Sequence, residues 1–448
     1  MSEKKSKRAP RVNLSRRELL KLTGGAMAGT VVACSDGSLL SPPTGDAGDP
    51  PVPDVGTDAG PVLSSYGDPA TIKEADAAVA EHLGPIFFVH FTDIHIGSGS
   101  LALPALQFGL DTILPTFPSI PVLATGDLVE VGNDLADWAD YQNAIVGAGL
   151  NAEDFIETPG NHDALLNGNL SNYLLYTLAG CNGHGKYGLY HRVHQGRRIR
   201  IVALNTCSGG NALQDSTGYL QQSQVDELIA QIDQDIEPVH ATIVLGHHPP
   251  SSPLGLGLLG TDVHLRTLLD HTAAAAYLHG HLHMHYTNWE GKTLMAQAPS
   301  LGNPSEGMPG ADVPGFNIFA IDDGPVAKAV FHSGDSQNLT VDWPLVMITK
   351  PANLNLGKSL TSDDPNPWAQ PLPRNSSGNV LHAGVFAPNS TIDVRYQVDG
   401  QAWQPMTKVT DYFMAEFDSP DQDSCVITVE AEVPNGGIQS DSVEVELA

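Results

Sequence analysis

The sequence predicts an α/β fold followed by a smaller all-β domain, and three observations carry that prediction. Short apolar runs alternate with helical segments through much of the chain, and two later apolar runs, Phe316 to Ile321 and Val326 to His332, have no helix between them. From about Leu345 the texture changes to alternating runs broken by turn dipeptides. The early runs are Ile86-Phe87-Phe88-Val89, Pro121-Val122-Leu123-Ala124, Asp154-Phe155-Ile156-Glu157, Thr242-Ile243-Val244-Leu245 and Ala276-Tyr277-Leu278. Runs of this kind read as strands of a sheet covered on both faces; the fourth-mentioned residue of the third run, Glu157, makes it the weakest. Helices are expected over Leu135 to Val146, Gln221 to Asp235 and Val263 to His271, and a hairpin between Tyr187 and Leu204.

Directly after the five early runs stand five short motifs: Asp93-Ile94-His95, Gly126-Asp127, Gly160-Asn161-His162-Asp163, Gly246-His247-His248-Pro249 and Gly280-His281-Leu282-His283. The intervals 93 to 127, 127 to 161 and 247 to 281 are each 34 residues, about one strand-helix-strand unit. The motifs would therefore lie at the ends of neighbouring strands. Asp93 and His95, like His281 and His283, are two apart, so on an extended chain each pair points to one side while Ile94 and Leu282 face the core. The glycines at 126, 160, 246 and 280 are expected to supply permissive backbone angles. Seven nitrogen and oxygen ligands result, enough for two adjacent metal ions.

This ordered set resembles the calcineurin-like metallophosphoesterase superfamily, whose pattern is D-x-H, G-D, G-N-H-D/E, H-x-P and G-H-x-H, over roughly residues 84 to 332. The resemblance implies two packed mixed β-sheets flanked by helices, an αββα sandwich. It implies one ion held by Asp93, His95, Asp127 and His283 and another by Asp127, Asn161, His247 and His281, with Asp127 bridging. Two cations about 3.5 to 4 Å apart can share a water, lower its pKa from about 15.7 toward roughly 7 and clamp a phosphoryl group for in-line displacement by the bridging hydroxide. A bridging carboxylate offsets their repulsion, and the neutral Asn161 keeps the pair electropositive. His162 would stabilise the transition state or protonate the leaving oxygen, with Asp163 orienting it. The H-x-P register selects His247 over His248. His248, His271, His279 and His285 read as surface or hydrogen-bonded structural histidines.

Purple acid phosphatases have Tyr three residues after the second-block Asp, where this chain has Glu130, so a ferric-tyrosinate centre is not expected. No cysteine lies near a block, and mixed imidazole and oxygen donors suit Mn, Fe, Zn or Co. Possible specialisations are a nucleotidase and a glycerophosphodiester or phospholipid phosphodiesterase. A different class is a non-catalytic surface binding lipoprotein with a structural metal site; the outer-sphere His162-Asp163 pair argues against it.

The first 34 residues read as an address. Ser15-Arg16-Arg17-Glu18-Leu19-Leu20-Lys21 resembles a twin-arginine export signature behind a basic region. Leu22 to Ala33 is too short for the ~20 apolar residues of a membrane span. Val31-Val32-Ala33-Cys34 looks like a lipobox, which would make Cys34 the lipidated first residue of an exported, membrane-anchored lipoprotein in the periplasm or at the cell surface. An ordinary cleavage site with an incidental Cys is the alternative. Residues 35–70, rich in Pro, Gly, Asp and Ala, read as a flexible tether.

The signal holds 8 of the 22 Lys and Arg but 2 of the 51 acids, leaving 14 basic and 49 acidic residues, formally −35. Nucleic acid is not an expected partner, since its surface wants the opposite sign; a small phosphoester is. Lys186, Arg192, Arg197, Arg198 and Arg200 form the one basic concentration, read as edge-strand protection with substrate contact as the rival. Cys181 and Cys207 flank the hairpin and could pair in an oxidising compartment. The catalytic region is set at 71–344. Residues 345–448, with Asp399-Gly400 and Asn435-Gly436 as hairpin turns and Cys425 facing inward, read as an Ig-like sandwich available to cell-surface partners. The segments Cys207 to Gly218, Ser251 to Gly260 and Leu301 to Gly315 are expected to line the pocket.

Overall fold

The computed structural model describes residues 84–448 apart from 118–119, 208–216, 252–256, 259, 305–312, 359–364, 389–391 and 435–436. The export signal, Cys34, the linker, residues 71–83, the turn Asn435-Gly436 and most of the three pocket segments lie outside the described residues. Strands β1 (Ile86–Phe91), β2 (Val122–Thr125) and β3 (Phe155–Thr158) pair in parallel. Strands β4 (Gly188–His194) and β5 (Arg197–Ala203) make the expected hairpin, and β5 continues in parallel through β6 (Ala241–Leu245), β7 (Ala276–His279) and β9 (Thr293–Gln297), with β8 (Tyr286–Glu290) antiparallel at the edge. The late strands β10 (Gly315–Ile321), β11 (Pro325–Ser333) and β12 (Thr340–Val341) extend the first sheet on the free side of β1, giving the order β12-β11-β10-β1-β2-β3. The second sheet runs β4-β5-β6-β7-β9-β8.

One core fills the space between the sheets, with Phe88, Leu123, Ile156 and Phe319 from the first meeting Ile201, Ile243, Leu245 and Leu278 from the second. The opposite faces are covered by helices. Leu135–Gly147, capped by the Asp134 carboxylate on Ala136 N, buries Trp138, Tyr141 and Ile145. Helices Gln222–Gln234 and Asp262–Thr272 bury Val225, Leu228, Leu265 and Leu268 against Val202, Val244 and Tyr277. Glu157 explains the weak third run: its carboxylate is buried, accepting from Tyr141 Oη at 2.6 Å and from Ala179 N at 2.9 Å. It ties two helices to the strand that leads into Asn161.

After β13 (Leu345–Lys350) the chain builds β14 (Asn379–Phe386), β15 (Asp393–Val398), β16 (Gln404–Pro405), β17 (Thr407–Lys408), β18 (Phe413–Phe417), β19 (Ser424–Glu432) and β20 (Ile438–Glu446). These form two four-stranded antiparallel sheets, β13-β14-β18-β17 and β16-β15-β19-β20, around one core that includes Cys425, as expected. Asp399 and Gly400, with φ of 48° and 71°, make the type I′ turn that their sequence calls for. The change at Leu345 is real in strand content, but packing crosses it. Phe386 sits 5.1 Å from the Phe87 ring and 4.2 Å from that of Phe117, and Asp441 accepts from Lys328 Nζ and Ile348 N, both at 2.8 Å.

Candidate metal centre

Every one of the seven expected ligands follows the carboxyl end of a parallel strand. Asp93 and His95 follow β1, Asp127 follows β2, Asn161 follows β3, His247 follows β6, and His281 and His283 follow β7. Side chains converge there because neighbouring parallel strands end at one edge, the usual ligand-binding edge of such sheets. The two-apart pairs do not sit on extended chain, contrary to expectation. Asp93, His95, Asp127, His281 and His283 take φ of 50°, 54°, 52°, 79° and 57°, a left-handed conformation that costs a non-glycine residue about 1–2 kcal/mol. Ile94 and Leu282 are nonetheless buried, as predicted. The glycine reading needs a similar correction: Gly126 has φ of 86°, but a Cβ on Gly160 would run into the Asp127 carboxylate and one on Gly280 into the Thr92 hydroxyl. Close approach, not backbone angle, demands glycine at 160 and 280.

The side chains form overlapping groups able to hold cations: Asp93, His95 and His283; Asp93, Asp127 and His247; and His247, His248 and His281. His283 Nε2 lies 3.3 Å from Asp93 Oδ1 and 3.2 Å from His95 Nε2. His247 Nε2 lies 3.1 Å from Asp127 Oδ2 and 2.9 Å from Asn161 Oδ1. Both imidazoles are oriented from behind. His247 Nδ1 donates to Thr125 O at 2.8 Å, and His95 Nδ1 donates to Glu130 Oε2 at 2.9 Å. With Nδ1 so committed, the neutral rings present bare lone pairs to carboxylate and amide oxygens, which are lone pairs too. Only positive charge reconciles them. Protons alone show the same demand: burial pulls His95 and His247 down, yet the surrounding carboxylates outweigh it and push them up to about 10 and about 9. Burial likewise opposes ionisation of Asp93 and Asp127, and the adjacent imidazoles hold both below the ordinary carboxylate range.

Beside the centre, the His162 ring packs edge-on against His95 at 4.6 Å, and His162 N donates to Asp127 Oδ1 at 2.8 Å. Asp163 does not orient it. Its Oδ1 accepts from Leu128 N and Val129 N at 2.9 and 3.1 Å and its Oδ2 from Gly160 N at 2.8 Å, stapling the second block to the third. Burial and the Asp127 charge push Asp163 up to about 7, while the three donors favour its anion. Glu130 takes the orienting place instead: its carbonyl accepts from His162 Nδ1 at 2.8 Å and its carboxylate stands 3.7 Å from the same nitrogen. Burial raises Glu130, but His95 outweighs it and holds the carboxyl below its usual range. Sequence reasoning misses Thr206, whose Oγ1 lies 2.9 Å from His248 Nδ1. It stands three residues past β5, the same offset that Asn161 has from β3, and that offset was the available signal.

Other expectations resolve plainly. Cys207 is a buried thiol that donates to Pro159 O at 3.4 Å and does not bridge to Cys181; the inward packing of its loop takes it into the core. Arg198 and Arg200 of the basic hairpin bind Asp235 at 2.8 and 3.0 Å, and β4 is a sheet edge. His248 and His285 are hydrogen-bonded to Thr206 and Asn317, and His271 to Asp233.

The fold and centre together define an α/β protein with an aspartate- and histidine-rich candidate cation site at the carboxyl edge of two facing sheets. Residues 88–285 match the model of the calcineurin-like phosphoesterase family. Among solved structures, GAP50, the anchor in the inner membrane complex of Plasmodium, is 17% identical, with 58% of this chain and 89% of that chain covered at a TM-score of 0.40. The phosphopantetheinyl hydrolase PptH of Mycobacterium tuberculosis is 16% identical, with 49% and 91% covered and a TM-score of 0.32. The phosphoesterase Yfce of E. coli is 12% identical, with 57% and 96% covered and a TM-score of 0.28. No curated protein matches the chain.

Proposed function

We propose that the chain is an exported, lipid-tethered phosphoric ester hydrolase that works with two divalent transition-metal ions on a phosphate mono- or diester. The observation that carries the metal reading is the facing of acceptors: His247 Nε2 against Asn161 Oδ1 at 2.9 Å and Asp127 Oδ2 at 3.1 Å, with Nδ1 already donating to Thr125 O. Asp93, His95, Asp127 and His283 would hold one ion; Asp127, Asn161, His247 and His281 would hold the other. Such ions, of Mn, Fe, Zn or Co, would polarise the phosphoryl group and make water more acidic. His162 would bind the phosphoryl oxygens or deliver a proton to the leaving oxygen from Nε2, because Nδ1 is engaged by Glu130 O. The Glu130 carboxylate, 3.7 Å from Nδ1, would steady the positively charged ring before it gives up that proton. Arg16-Arg17 and Cys34 support export and lipidation, and the two antiparallel C-terminal sheets support an Ig-like module that can meet a surface partner.

The test is a panel of aryl phosphate mono- and diesters with metal analysis of the purified protein. Close to two ions per chain are expected, with hydrolysis abolished by a chelator and restored by Mn2+. Asp127→Ala should lose metal. Full hydrolysis by a metal-free preparation would refute the proposal.

A further inference from the structure

Two adjacent histidines stand at the end of β6, and His247, His248 and His281 bring candidate ligand atoms within 4.8 Å of one another. We propose that Thr206 decides between them: it fixes His248 as a neutral ring with its proton on Nε2, which keeps His248 out of the metal shell that His247 enters. The inference rests on the metal reading above.

Thr206 is fully buried, and its Oγ1 receives the backbone N–H of His247 and of His248, each at 3.2 Å, and stands 2.9 Å from His248 Nδ1. A hydroxyl has two lone pairs and one proton. The two amides occupy the lone pairs, so the proton goes to Nδ1. The reverse assignment would aim three donors at one oxygen and leave a buried O–H with no acceptor among the described residues, a cost of about 1–3 kcal/mol. With Nδ1 accepting, the neutral ring carries its own hydrogen on Nε2, and neither nitrogen keeps a lone pair for an ion. His247 is set the other way, because Thr125 O can only accept and holds the hydrogen on Nδ1 at 2.8 Å. Tyr277 Oη donates to His248 O at 2.7 Å and fixes the His248–Pro249 peptide beside the second ring. Thr206 is therefore a positioning residue that makes successive histidines opposite tautomers.

The test is long-range proton–nitrogen correlation NMR on the full chain with 15N-labelled histidine, before and after loading with Zn2+. His248 signals are identified by their loss in His248→Gln. The expected result is a protonated Nε2 and a bare Nδ1 on His248, unmoved by Zn2+, while the Nε2 of His247 shifts on loading. Thr206→Val should abolish the tautomer preference and, because the His247 amide loses its acceptor as well, weaken Zn2+ binding by roughly 10- to 100-fold, the range for loss of a partner that orients a ligand. Thr206→Ser should restore both. A His248 with its proton on Nδ1, a doubly protonated His248, or a His248 nitrogen that shifts as a ligand does on Zn2+ loading would overturn the inference. Should the valine variant not fold, the spectra of the unsubstituted and serine chains decide by themselves. A chain with the stated tautomers that binds no Zn2+ would overturn the metal reading instead.

Discussion

Replacing Glu157 by Gln should stabilise the protein, increasingly so as pH rises. Glu157 is buried on β3, and burial pushes its carboxyl from 4.5 up to about 7 even though Tyr141 and Ala179 donate to it. Below pH 4.5 the carboxyl is protonated in both the folded and the unfolded chain and has no effect on pH dependence. Between 4.5 and about 7 the unfolded chain binds fewer protons than the folded one, so stability falls as pH rises. A gap of about 2.5 pH units at about 1.4 kcal/mol each gives a total cost of about 3 kcal/mol, complete above pH 7. Glutamine keeps the bond from Ala179 N with its carbonyl and reverses the other, donating from its amide to Tyr141 Oη. Urea titrations of both chains at pH 5 and pH 8 measure this. The advantage of Glu157→Gln should be small at pH 5 and approach about 3 kcal/mol at pH 8. Identical pH dependence in the two chains would refute the buried-carboxyl argument.

His162→Ala should keep both metals and the fold while losing roughly 10²- to 10⁴-fold in rate, read from steady-state kinetics with metal analysis. If His162 protonates the leaving oxygen, the loss will be small on a 4-nitrophenyl ester and large on an alkyl ester; unchanged rates on both would remove it from the mechanism. Glu130→Gln should lower the rate by up to roughly 10- to 100-fold in the same kinetics, since it removes the carboxylate that orients His95 Nδ1 and stands 3.7 Å from His162 Nδ1. Replacing Arg16 and Arg17 by Lys should retain the precursor in the cytoplasm, and Cys34→Ala should release a soluble exported form, both checked by fractionation.

The sequence by itself determined the elements and the types of the candidate ligands. Five apolar runs became β1, β2, β3, β6 and β7, and the polar residues after them stand at strand ends, which are a local property of the chain. The three expected helices are present over Leu135–Gly147, Gln222–Gln234 and Asp262–Thr272. What only the tertiary structure decided is which group each ligand leans on. Glu130 faces His95 and Thr125 O faces His247, pairings 35 and 122 residues apart that no spacing rule reaches. Asp163 sits next to His162 in sequence yet turns to the amides of Leu128 and Val129, because a buried carboxylate goes to the unpaired donors within its reach. The same holds for Cys207, drawn to the Pro159 carbonyl, and for Phe386, which fills the gap between Phe87 and Phe117 across the change of texture at Leu345. Periodicity along a chain fixes which face a residue presents, whereas the partner it meets depends on how separate elements pack.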